Sequence, residues 1–460
     1  MLLALAAASS GGWGCGHSVA PTPSGVVTSP PETEGGATPL ASMAQGASPS
    51  QAAAAPSALA ARAPARKGPP KGLNVLLVTV DSLRADMPWT GYARPIAPRM
   101  TELAKRAVVY TRAYAVSSYT SMSLGALLAA RYPSELVRDG YFFGTYPKEN
   151  LMFPEVLKDK GVATFGAHAH GYFKTAGFDQ GFARWEIVPN LKWNNTTDEN
   201  ITAPELMKLA EKQLADPALD KQRFFGWYHF MDPHDKYLPH PGVGPYGKSL
   251  RDRYDAEVTF TDDYVGKLVD LVRSKPWGDR TVLILSADHG EAFGEHNHYA
   301  HGFELWEPLV RVPLLFVAPD AAPRTVETPR SHIDLGRTIL ELLEVEAPKE
   351  FRGKSLVGEL YGAEAEARDV FIDLPPTSDN DRRRAVVAGN KKVISFGAQG
   401  LKRVFDVVAD PAEAAPLKRD DMGDALQRFK ALDDAVKEIP PTKCKEGCLN
   451  GAYLKKDGGA

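Results

Sequence analysis

Cysteine is scarce in this sequence of 460 residues, which contains only Cys15, Cys444 and Cys448. None of the three lies in the body of the chain. Cys444 and Cys448 form a C-x3-C pattern, and a zinc site there would need further ligands close by, none of which is evident. We predict a small disulfide loop if the compartment is oxidising, with two free thiols as the alternative.

An excess of basic charge is also lacking. The net charge is −3, so no electrostatic argument favours nucleic acid as a partner. We therefore predict that the chain does not bind nucleic acid.

Long hydrophobic runs are the third absence, because the apolar run at residues 2–8 is too short to span a bilayer. Small residues then lead to Cys15, which resembles a bacterial lipoprotein signal, although no Lys or Arg precedes the run and Trp13 stands where a small residue is usual. We predict that residues 1–15 are an export signal and that the protein is periplasmic or an outer-membrane lipoprotein. Its membrane contact would be a lipid anchor at Cys15.

Composition divides the rest of the chain into four parts. Residues 16–72 are rich in Ala, Pro, Ser, Gly and Thr and cannot bury enough apolar surface to offset their ordering entropy, so we predict a disordered linker. The other parts are a main domain at 73–345, a C-terminal subdomain at 346–435, and a tail at 436–460 that carries Cys444 and Cys448.

Apolar runs alternate with helical patterns along the main domain. Continuous apolar runs, typical of strands buried on both faces, predict strands at 75–80, 161–169, 223–232, 281–290 and 311–319. Apolar residues spaced i, i+3, i+4, i+7 predict helices at 100–108, 258–272 and 333–343. The alternation predicts an α/β fold with a doubly wound, mostly parallel central sheet flanked by helices. Short β-like runs after Arg384 predict a small C-terminal antiparallel appendage.

Three of the predicted strands end in residues that bind metals or exchange protons. These residues are Asp81; then His229, Asp232 and His234; then Asp288 and His289. Ligands of open α/β sheets bind beyond the carboxyl ends of the strands. A single Asp after a strand is commonly a helix cap, but the adjacent pair Asp288 and His289 favours a divalent cation with mixed oxygen and nitrogen ligands.

The segment SSYTSMSLGALLAARYPSE, residues 117–135, places hydroxyl groups before an apolar helix. Thr120, Ser121 and Ser123 are suited to capping the first helical turn. The alternative is a nucleophile at the positive end of the helix dipole, where an anionic group would also bind.

The sequence from about Asn74 to about Leu417 resembles the sulfatase family within the alkaline phosphatase superfamily. The ordered set of motifs that carries this resemblance is VTVDSLRAD, APRMTELAKRAVVYTRAYA, TSMSLGALLAARYP, HFMDPHDKY, YDAEVTFTDDYVGKLVD, SADHGEAFGEH, HGFELWEPLVRVPLLF and VFDVVADPAEAAPL. One such motif would be weak evidence, but the ordered set is specific for the family, though not for a substrate.

Aligned back from Arg131-Tyr132-Pro133, the resemblance places Thr120 at the nucleophile position. Classical members carry Cys or Ser there, within C/S-x-P-x-R, and oxidise it to formylglycine. This chain has T-S-M-S-L, without the Pro and Arg, and the family's double Asp is reduced to Asp81-Ser82. The resemblance therefore implies a nucleophile of unmodified threonine.

The resemblance also implies roles for the other residues. The implied metal ligands are Asp81, Asp288, His289 and Thr120; the implied proton donors are His234 and His301; and the predicted substrate contacts are His229 and Ser121. One divalent metal ion is expected, Mn, Zn, Mg or Ca. The presence of a His among the oxygen ligands, and of a single rather than a double Asp after the first strand, argues against Ca. Mn or Zn is slightly preferred.

Three functions stay open at this stage. A threonine ester of sulfate has no easy exit, whereas a threonine phosphoryl ester is resolved by attack at phosphorus, so a hydrolase of sulfate or phosphate/phosphonate esters is our first hypothesis. The second is a phosphotransferase acting on envelope lipid or glycan, although such enzymes usually carry membrane helices. The third is a non-catalytic binding protein that keeps the scaffold.

Several residues near these motifs have structural interpretations of equal or greater weight. His229 could be a core histidine satisfied by backbone groups, and Asp232 is expected to order the Asp-Pro-His turn. The remaining expectations are a brace for Asp86, a carboxylate partner for Arg84, exposed loops for His296 and His298, helix-surface charge for Glu291 and Glu295, and only a weak case for function at His168 and His170.

Overall fold

The structure, a computed structural model, describes residues 68–442 apart from 195–196, 199, 235, 245 and 398–399. The predictions for the export signal at 1–15, for Cys15, for nearly all of the linker at 16–72, and for Cys444 and Cys448 lie outside the described residues. No described helix is long and apolar enough to cross a membrane.

The described strands and helices alternate through the main domain. The strands are β1 (Asn74–Val80), β2 (Val108–Tyr114), β3 (Ala163–His168), β4 (Arg184–Ile187), β5 (Trp193–Asn194), β6 (Thr197–Asp198), β7 (Phe224–Phe230), β8 (Thr281–Ala287), β9 (Ala292–Phe293), β10 (Tyr299–Ala300), β11 (Arg311–Val317), β12 (Arg324–Val326), β13 (Arg330–Ser331), β14 (Val370–Leu374), β15 (Arg383–Ala388), β16 (Lys391–Phe396) and β17 (Lys402–Asp406). The helices are α1 (Pro98–Ala104), α2 (Thr120–Ala129), α3 (Phe153–Asp159), α4 (Ala203–Leu214), α5 (Leu250–Arg273), α6 (Glu307–Val310), α7 (Leu335–Leu342), α8 (Val357–Leu360) and α9 (Ala425–Ala435).

The central sheet runs in the order β12-β2-β11-β8-β1-β7-β3-β4, with β13 also paired to β2. Strands β8, β1, β7, β3 and β4 are mutually parallel, and β11 is antiparallel to both β8 and β2. Every residue of β1, β7 and β8 is buried, as expected for parallel strands covered on both faces. The predicted α/β fold, with its mostly parallel sheet, is confirmed.

The predicted helix at 258–272 lies within α5, which begins at a capping box: Ser249 Oγ accepts a hydrogen bond of 3.1 Å from the backbone N–H of Asp252. The predicted helix at 100–108 is wrong at its end, because α1 stops at Ala104 and Val108 already pairs in β2. Apolar residues of the helix face and of the next strand fall by chance in one helical period.

The small antiparallel sheet β14-β15-β16-β17 confirms the C-terminal appendage. One of its faces packs on Leu305, Trp306 and Leu309 of the main domain, and the other packs on α9. Buried Lys392 joins the two parts, since its Nζ lies 3.0 Å from carboxylate oxygens of both Glu307 and Glu413. The site described next is therefore backed by a fixed second sheet.

Candidate active site

Two adjacent strands deliver the acidic residues of the site. Val80 pairs with Ala287 in the parallel register of β1 and β8, so Asp81 and Asp288 follow the two strands side by side. His289 comes next, and ligand atoms of Asp81, Asp288 and His289 all lie within 4.8 Å of one another. All three side chains are fully buried. The carboxyl ends of these strands thus meet at the point where the sequence analysis predicts a cation site.

Thr120 reaches the same point from the start of α2. Its Oγ1 lies 3.1 Å from His289 Nε2 and 3.3 Å from Asp81 Oδ2, and the residue is 4% exposed. The structure therefore brings the predicted nucleophile and the predicted metal ligands together.

The capping interpretation of these hydroxyl groups is wrong. Tyr119 occupies the N-cap of α2, and no side chain caps this helix within the described residues. Ser121 Oγ instead donates to the carbonyl of Phe142 over 2.7 Å, and Ser123 Oγ donates to the carbonyl of Asp288 over 2.6 Å. Ser123 therefore ties the helix to the Asp288 loop, while a substrate contact for Ser121 stays a prediction.

The polar atoms of the site fit a divalent cation. His289 Nδ1 donates to the carbonyl of Gly290 over 2.9 Å, so its Nε2 carries a lone pair, and burial lowers the pKa of His289 to about 3. Asp288 Oδ2 is buried, lies 3.3 Å from that Nε2 and receives no hydrogen bond from the described residues. Lone pairs that face one another in a buried site are suited to holding a cation between them.

The two carboxyl groups titrate in opposite directions. Burial, reinforced by the charge of Asp81, raises the pKa of Asp288 well above its usual range. Burial alone would also raise the pKa of Asp81, but the hydrogen bond from His229 and the nearby His234 and His289 hold it well below. One carboxylate is thus stabilised by protein donors, and the other lacks a counter-charge.

His229 lies beneath Asp81 and is fully buried. Trp227 Nε1, which can only donate, bonds to Thr79 Oγ1 over 2.8 Å, and the same oxygen lies 2.8 Å from His229 Nδ1. The carboxylate oxygen Asp81 Oδ2 can only accept, so His229 Nε2–H donates to it over 3.2 Å. In that neutral tautomer, His229 Nδ1 accepts from the Thr79 hydroxyl. The ring's partners are side chains rather than backbone groups, so the ring supports Asp81, while a substrate contact for His229 stays a prediction.

A row of imidazole rings lines the site beyond His289. The ring centroids are 4.4 Å apart for His289 and His301, 4.9 Å for His301 and His234, and 6.1 Å for His234 and His170. Burial alone would lower the pKa of His301, but the charge and hydrogen bond of Glu291, 3.2 Å away, and the charges of the two aspartates raise it to about 9. His301 and His234 therefore lie beside the predicted metal ligands, and their role as proton donors stays a prediction.

His170 lies at the far end of this row, a place that the sequence reasoning did not predict. Its Nδ1 accepts a hydrogen bond of 3.0 Å from the backbone N–H of Tyr172, and burial lowers its pKa to about 3. The signal available was its place after β3, which neighbours β7, the strand that leads to His234. Knowledge of the strand order was needed to use that signal.

Other expectations meet different outcomes. Asp232 accepts from the backbone N–H and hydroxyl of Thr202, over 2.7 and 2.6 Å, so it holds the start of α4 and the turn interpretation is wrong. Glu291 is buried on His301 and is not surface charge. Arg84 does pair with Asp86 and Glu295, over 2.9 and 2.8 Å. The other three histidines named in the sequence analysis lie near aromatic rings. His168 is close to Trp185, His296 stacks on Trp306, and His298 lies near Phe303.

The sequence profile of the Sulfatase family matches residues 73–345, and the profile described as N-sulphoglucosamine sulphohydrolase, C-terminal, matches residues 294–438. The chain belongs to the sulfatase family. As a sulfatase-like protein it is an ester hydrolase, with a substrate that the family does not specify. The family typically binds a divalent metal, in agreement with the cluster of Asp81, Asp288 and His289.

The proteins that are similar to this chain have names that refer to different substrates. An ulvan-active sulfatase of Formosa agariphila is 24% identical over 74% of this chain and 75% of its own length. A choline-sulfatase of Rhizobium meliloti is 22% identical over 84% of this chain and 93% of its own. The fold of a phosphonate monoester hydrolase of Agrobacterium radiobacter superposes with a TM-score of 0.65 at 17% identity, over 79% of this chain and 94% of that one.

Proposed function

We propose that this sulfatase-family chain is a divalent-metal-dependent hydrolase of phosphate or phosphonate esters, with Thr120 as the nucleophile. The observation that carries the proposal is the position of Thr120 Oγ1, 3.1 Å from His289 Nε2 and 3.3 Å from Asp81 Oδ2. A buried hydroxyl at a helix start, beside metal ligands, combines a nucleophile with a site for an anionic group.

Asp81, Asp288 and His289 would hold the cation, with Thr120 Oγ1 as the fourth ligand. When bound, a divalent cation would lower the pKa of the Thr120 hydroxyl and neutralise negative charge on the ester. The backbone N–H groups at the start of α2 add partial positive charge on the same side. His229 keeps the Asp81 carboxylate oriented through its hydrogen bond of 3.2 Å.

The reaction runs in two displacements. Thr120 Oγ1 attacks the phosphorus atom, and the bond between phosphorus and the alcohol oxygen breaks while His301 or His234 donates a proton to the departing alcohol. Water then attacks phosphorus and gives a proton to the same histidine, which restores the donor. The bond to Thr120 Oγ1 breaks, the Thr120 oxygen leaves in the deprotonated state in which it attacked, and the product is the free acid. The carboxylate of Glu291, 3.2 Å from His301 Nδ1, favours the protonated, donating form of that ring.

The nucleophile distinguishes phosphorus from sulfur esters. A sulfate ester formed on formylglycine hydrate collapses by using the second hydroxyl on the same carbon, and threonine has no such group. Sulfate esters are the second candidate, and the names of the two sulfatase relatives favour them. A transferase would use the same first displacement with an acceptor alcohol in place of water, and a binding protein would retain the site without turnover.

The test is turnover of nitrophenyl phosphate, phosphodiester, phosphonate and sulfate by the metal-loaded protein, measured side by side. We expect phosphorus esters to be preferred, and mass spectrometry of quenched samples to find a phosphoryl group on the peptide that carries Thr120. Faster turnover of sulfate would overturn the preference for phosphorus. Absence of all turnover from a protein with stoichiometric metal would favour the binding function.

A further inference from the structure

Lys392 stands on a face of β16 that is otherwise apolar. Alternate residues of a strand share a face, and the next side chain on this face, Ile394, packs in one apolar cluster with Trp306 and Leu309. Lys392 is 0% exposed. Burial of charged groups costs free energy that their pairing at best offsets, and apolar replacements of buried ion pairs are often neutral or stabilising. Stability alone therefore gives no reason for a lysine at this position.

The ammonium group of Lys392 joins two acidic residues that come from different parts of the chain. Its Nζ lies 3.0 Å from Glu307 Oε1, at the start of α6, and 3.0 Å from Glu413 Oε1, in the segment after β17. Glu413 Oε2 accepts a hydrogen bond of 2.6 Å from the backbone N–H of Glu307. The first residue of α6 is thus held twice, through its side chain by Lys392 and through its backbone by Glu413.

Helix α6 is in direct backbone contact with residues 288–291, which we call the metal-ligand loop. The carbonyls of Leu309 and Pro308 accept hydrogen bonds of 2.8 and 3.0 Å from the backbone N–H groups of Gly290 and Glu291. A Cβ atom at position 290 would lie 2.0 Å from the Pro308 carbonyl oxygen, so this close approach requires glycine. A shift of α6 would therefore displace the backbone of both residues of the loop.

Gly290 and Glu291 each contact a group of the candidate active site. The carbonyl of Gly290 accepts from His289 Nδ1 over 2.9 Å, which leaves Nε2 of that ring for a cation. The Glu291 carboxylate lies 3.2 Å from His301 Nδ1. One stretch of backbone therefore sets the orientation of a metal ligand and of the partner of a predicted proton donor.

The segment that carries Glu413 also contacts the loop before His301. The carbonyl of Ala412 accepts a hydrogen bond of 3.0 Å from His296 Nε2, and the ring of His296 stacks on Trp306 with centroids 3.7 Å apart. The C-terminal subdomain therefore holds the chain on both sides of His301, at the loop before it and at α6 after it.

We propose that Lys392 is a positioning residue of the active site. Through Glu307 and the backbone of α6 it fixes the metal-ligand loop, and with that loop the orientation of His289 and Glu291. The small C-terminal sheet then sets the geometry of a site that lies on the main domain. The expected effect on turnover rests on the proposed function, whereas the expected effects on the loop and on metal binding do not.

The test variant is K392M/E413Q, which removes one positive and one negative charge and keeps side chains of similar size. The control is R330M/E359Q, which makes the same kind of change at another buried ion pair. There, Arg330 Nη2 on β13 lies 2.7 Å from Glu359 Oε1 on α8. K392M/E307Q removes the other ion pair of Lys392 and tests the same link if K392M/E413Q does not fold.

Hydrogen–deuterium exchange of the full chain, read by mass spectrometry on peptides that cover Gly290 and Glu291, reports on the loop directly. We expect these amides to exchange about tenfold faster in K392M/E413Q than in the wild type, because the charged contacts that hold α6 are lost. Loss of contacts that orient metal ligands costs roughly 10- to 100-fold, so the affinity for Mn²⁺ in isothermal titration should fall by about tenfold. The value of kcat should fall by a similar factor with KM little changed, and R330M/E359Q should match the wild type in all of these measurements.

Exchange and metal affinity are measured whether or not the protein turns over an ester. Faster exchange with weaker Mn²⁺ binding, in a chain that turns over none of the esters, would support the role of Lys392 and reject the hydrolase alone. Equal exchange at these amides in K392M/E413Q and in R330M/E359Q would overturn the role of Lys392. Faster exchange without loss of metal affinity or of kcat would also overturn it, because Lys392 would then be a structural contact only.

Discussion

His229 and Asp81 form a fully buried pair in which His229 Nε2 donates to Asp81 Oδ2 over 3.2 Å. The proton is placed by Thr79, whose hydroxyl occupies Nδ1 at 2.8 Å. A histidine fixed in this way holds one carboxylate oxygen in place, and the hydroxyl of Ser82 donates to the other oxygen over 2.8 Å. The remaining lone pairs of Asp81 would be available to a cation. The pair therefore links the interior of the sheet to the metal site.

Replacing Thr79 by Val should weaken metal binding without loss of a ligand. The variant keeps shape but removes the hydroxyl that sets the His229 tautomer, and loss of such supporting contacts typically costs roughly 10- to 100-fold in metal affinity. Isothermal titration with Mn²⁺ or Zn²⁺ measures the change, and T164V, a buried threonine on β3 bonded to backbone groups, is the control. Equal affinities for T79V and T164V would show that Thr79 does not act through His229.

Replacing Thr120 by Ala should lower kcat by about three orders of magnitude or more, because the attacking oxygen is lost. Folding should be retained, since the hydrogen-bond distances of the Thr120 hydroxyl are to the site groups Asp81 and His289. Steady-state kinetics and thermal unfolding measure the two effects, with T261A, a buried α5 hydroxyl that has no hydrogen-bond partner among the described residues, as the control. Retained activity in T120A would remove the nucleophile from the mechanism.

The position of Thr120 came from the resemblance to the sulfatase family. The convergence of Asp81, Asp288 and His289 could be predicted because continuous apolar runs define parallel strands, and the carboxyl ends of such strands meet at one edge. The support of Asp81 by His229 could not, because it depends on the register of β1 with β7, which pairs Thr79 with His229. Sequence periodicity gives the face of a strand but not its neighbour.

Local rules also failed where tertiary contacts took over. The hydroxyls of Ser121 and Ser123 have the chemistry of caps, yet carbonyls of distant loops, at Phe142 and Asp288, accept their protons. Glu291 carries a charge, as surface residues commonly do, but its side chain is buried and lies within hydrogen-bond distance of His301. The rings of Phe142 and Phe303 stack although 160 residues lie between them in the chain, and no local pattern predicts that contact.

Metal removal should destabilise the wild-type protein, whereas the stability of D288N should depend little on metal. Without a cation, burial and the charge of Asp81 oppose ionisation of Asp288, so the neutral amide is tolerated at least as well as the carboxyl group. With metal at 100 times its Kd, the wild type gains about 2.7 kcal/mol, and D288N gains little because it lacks a charged ligand. Thermal unfolding with chelator and with metal measures the stabilisation of the wild type and of D288N. A wild-type Tm that does not change when metal is added would contradict the assignment of these ligands.

The buried pair His240 and Glu257 should make stability depend on pH. Glu257 Oε2 lies 2.6 Å from His240 Nε2; burial, with the charge of Asp232, raises the pKa of Glu257 to about 9, and burial lowers the pKa of His240. The folded pair therefore keeps one proton up to about pH 9, whereas the unfolded pair has lost its last proton above the ordinary histidine pKa of about 6.5. Since the unfolded chain binds fewer protons in this window, the free energy of unfolding should fall as pH rises, by at most about 1.4 kcal/mol per pH unit from this pair.

E257Q should remove this dependence, because the amide resembles the protonated acid and has no proton to lose. We expect the free energy of unfolding of E257Q, measured by urea denaturation at several pH values between 6.5 and 9, to rise relative to that of the wild type as pH increases. E211Q, at an exposed position of α4, should track the wild type at every pH. A constant difference between E257Q and the wild type across the window would contradict the prediction. It would mean that Glu257 is already ionised in the folded protein and paired with a protonated His240. It would also mean that His240 loses its proton at the same pH in the folded and the unfolded protein.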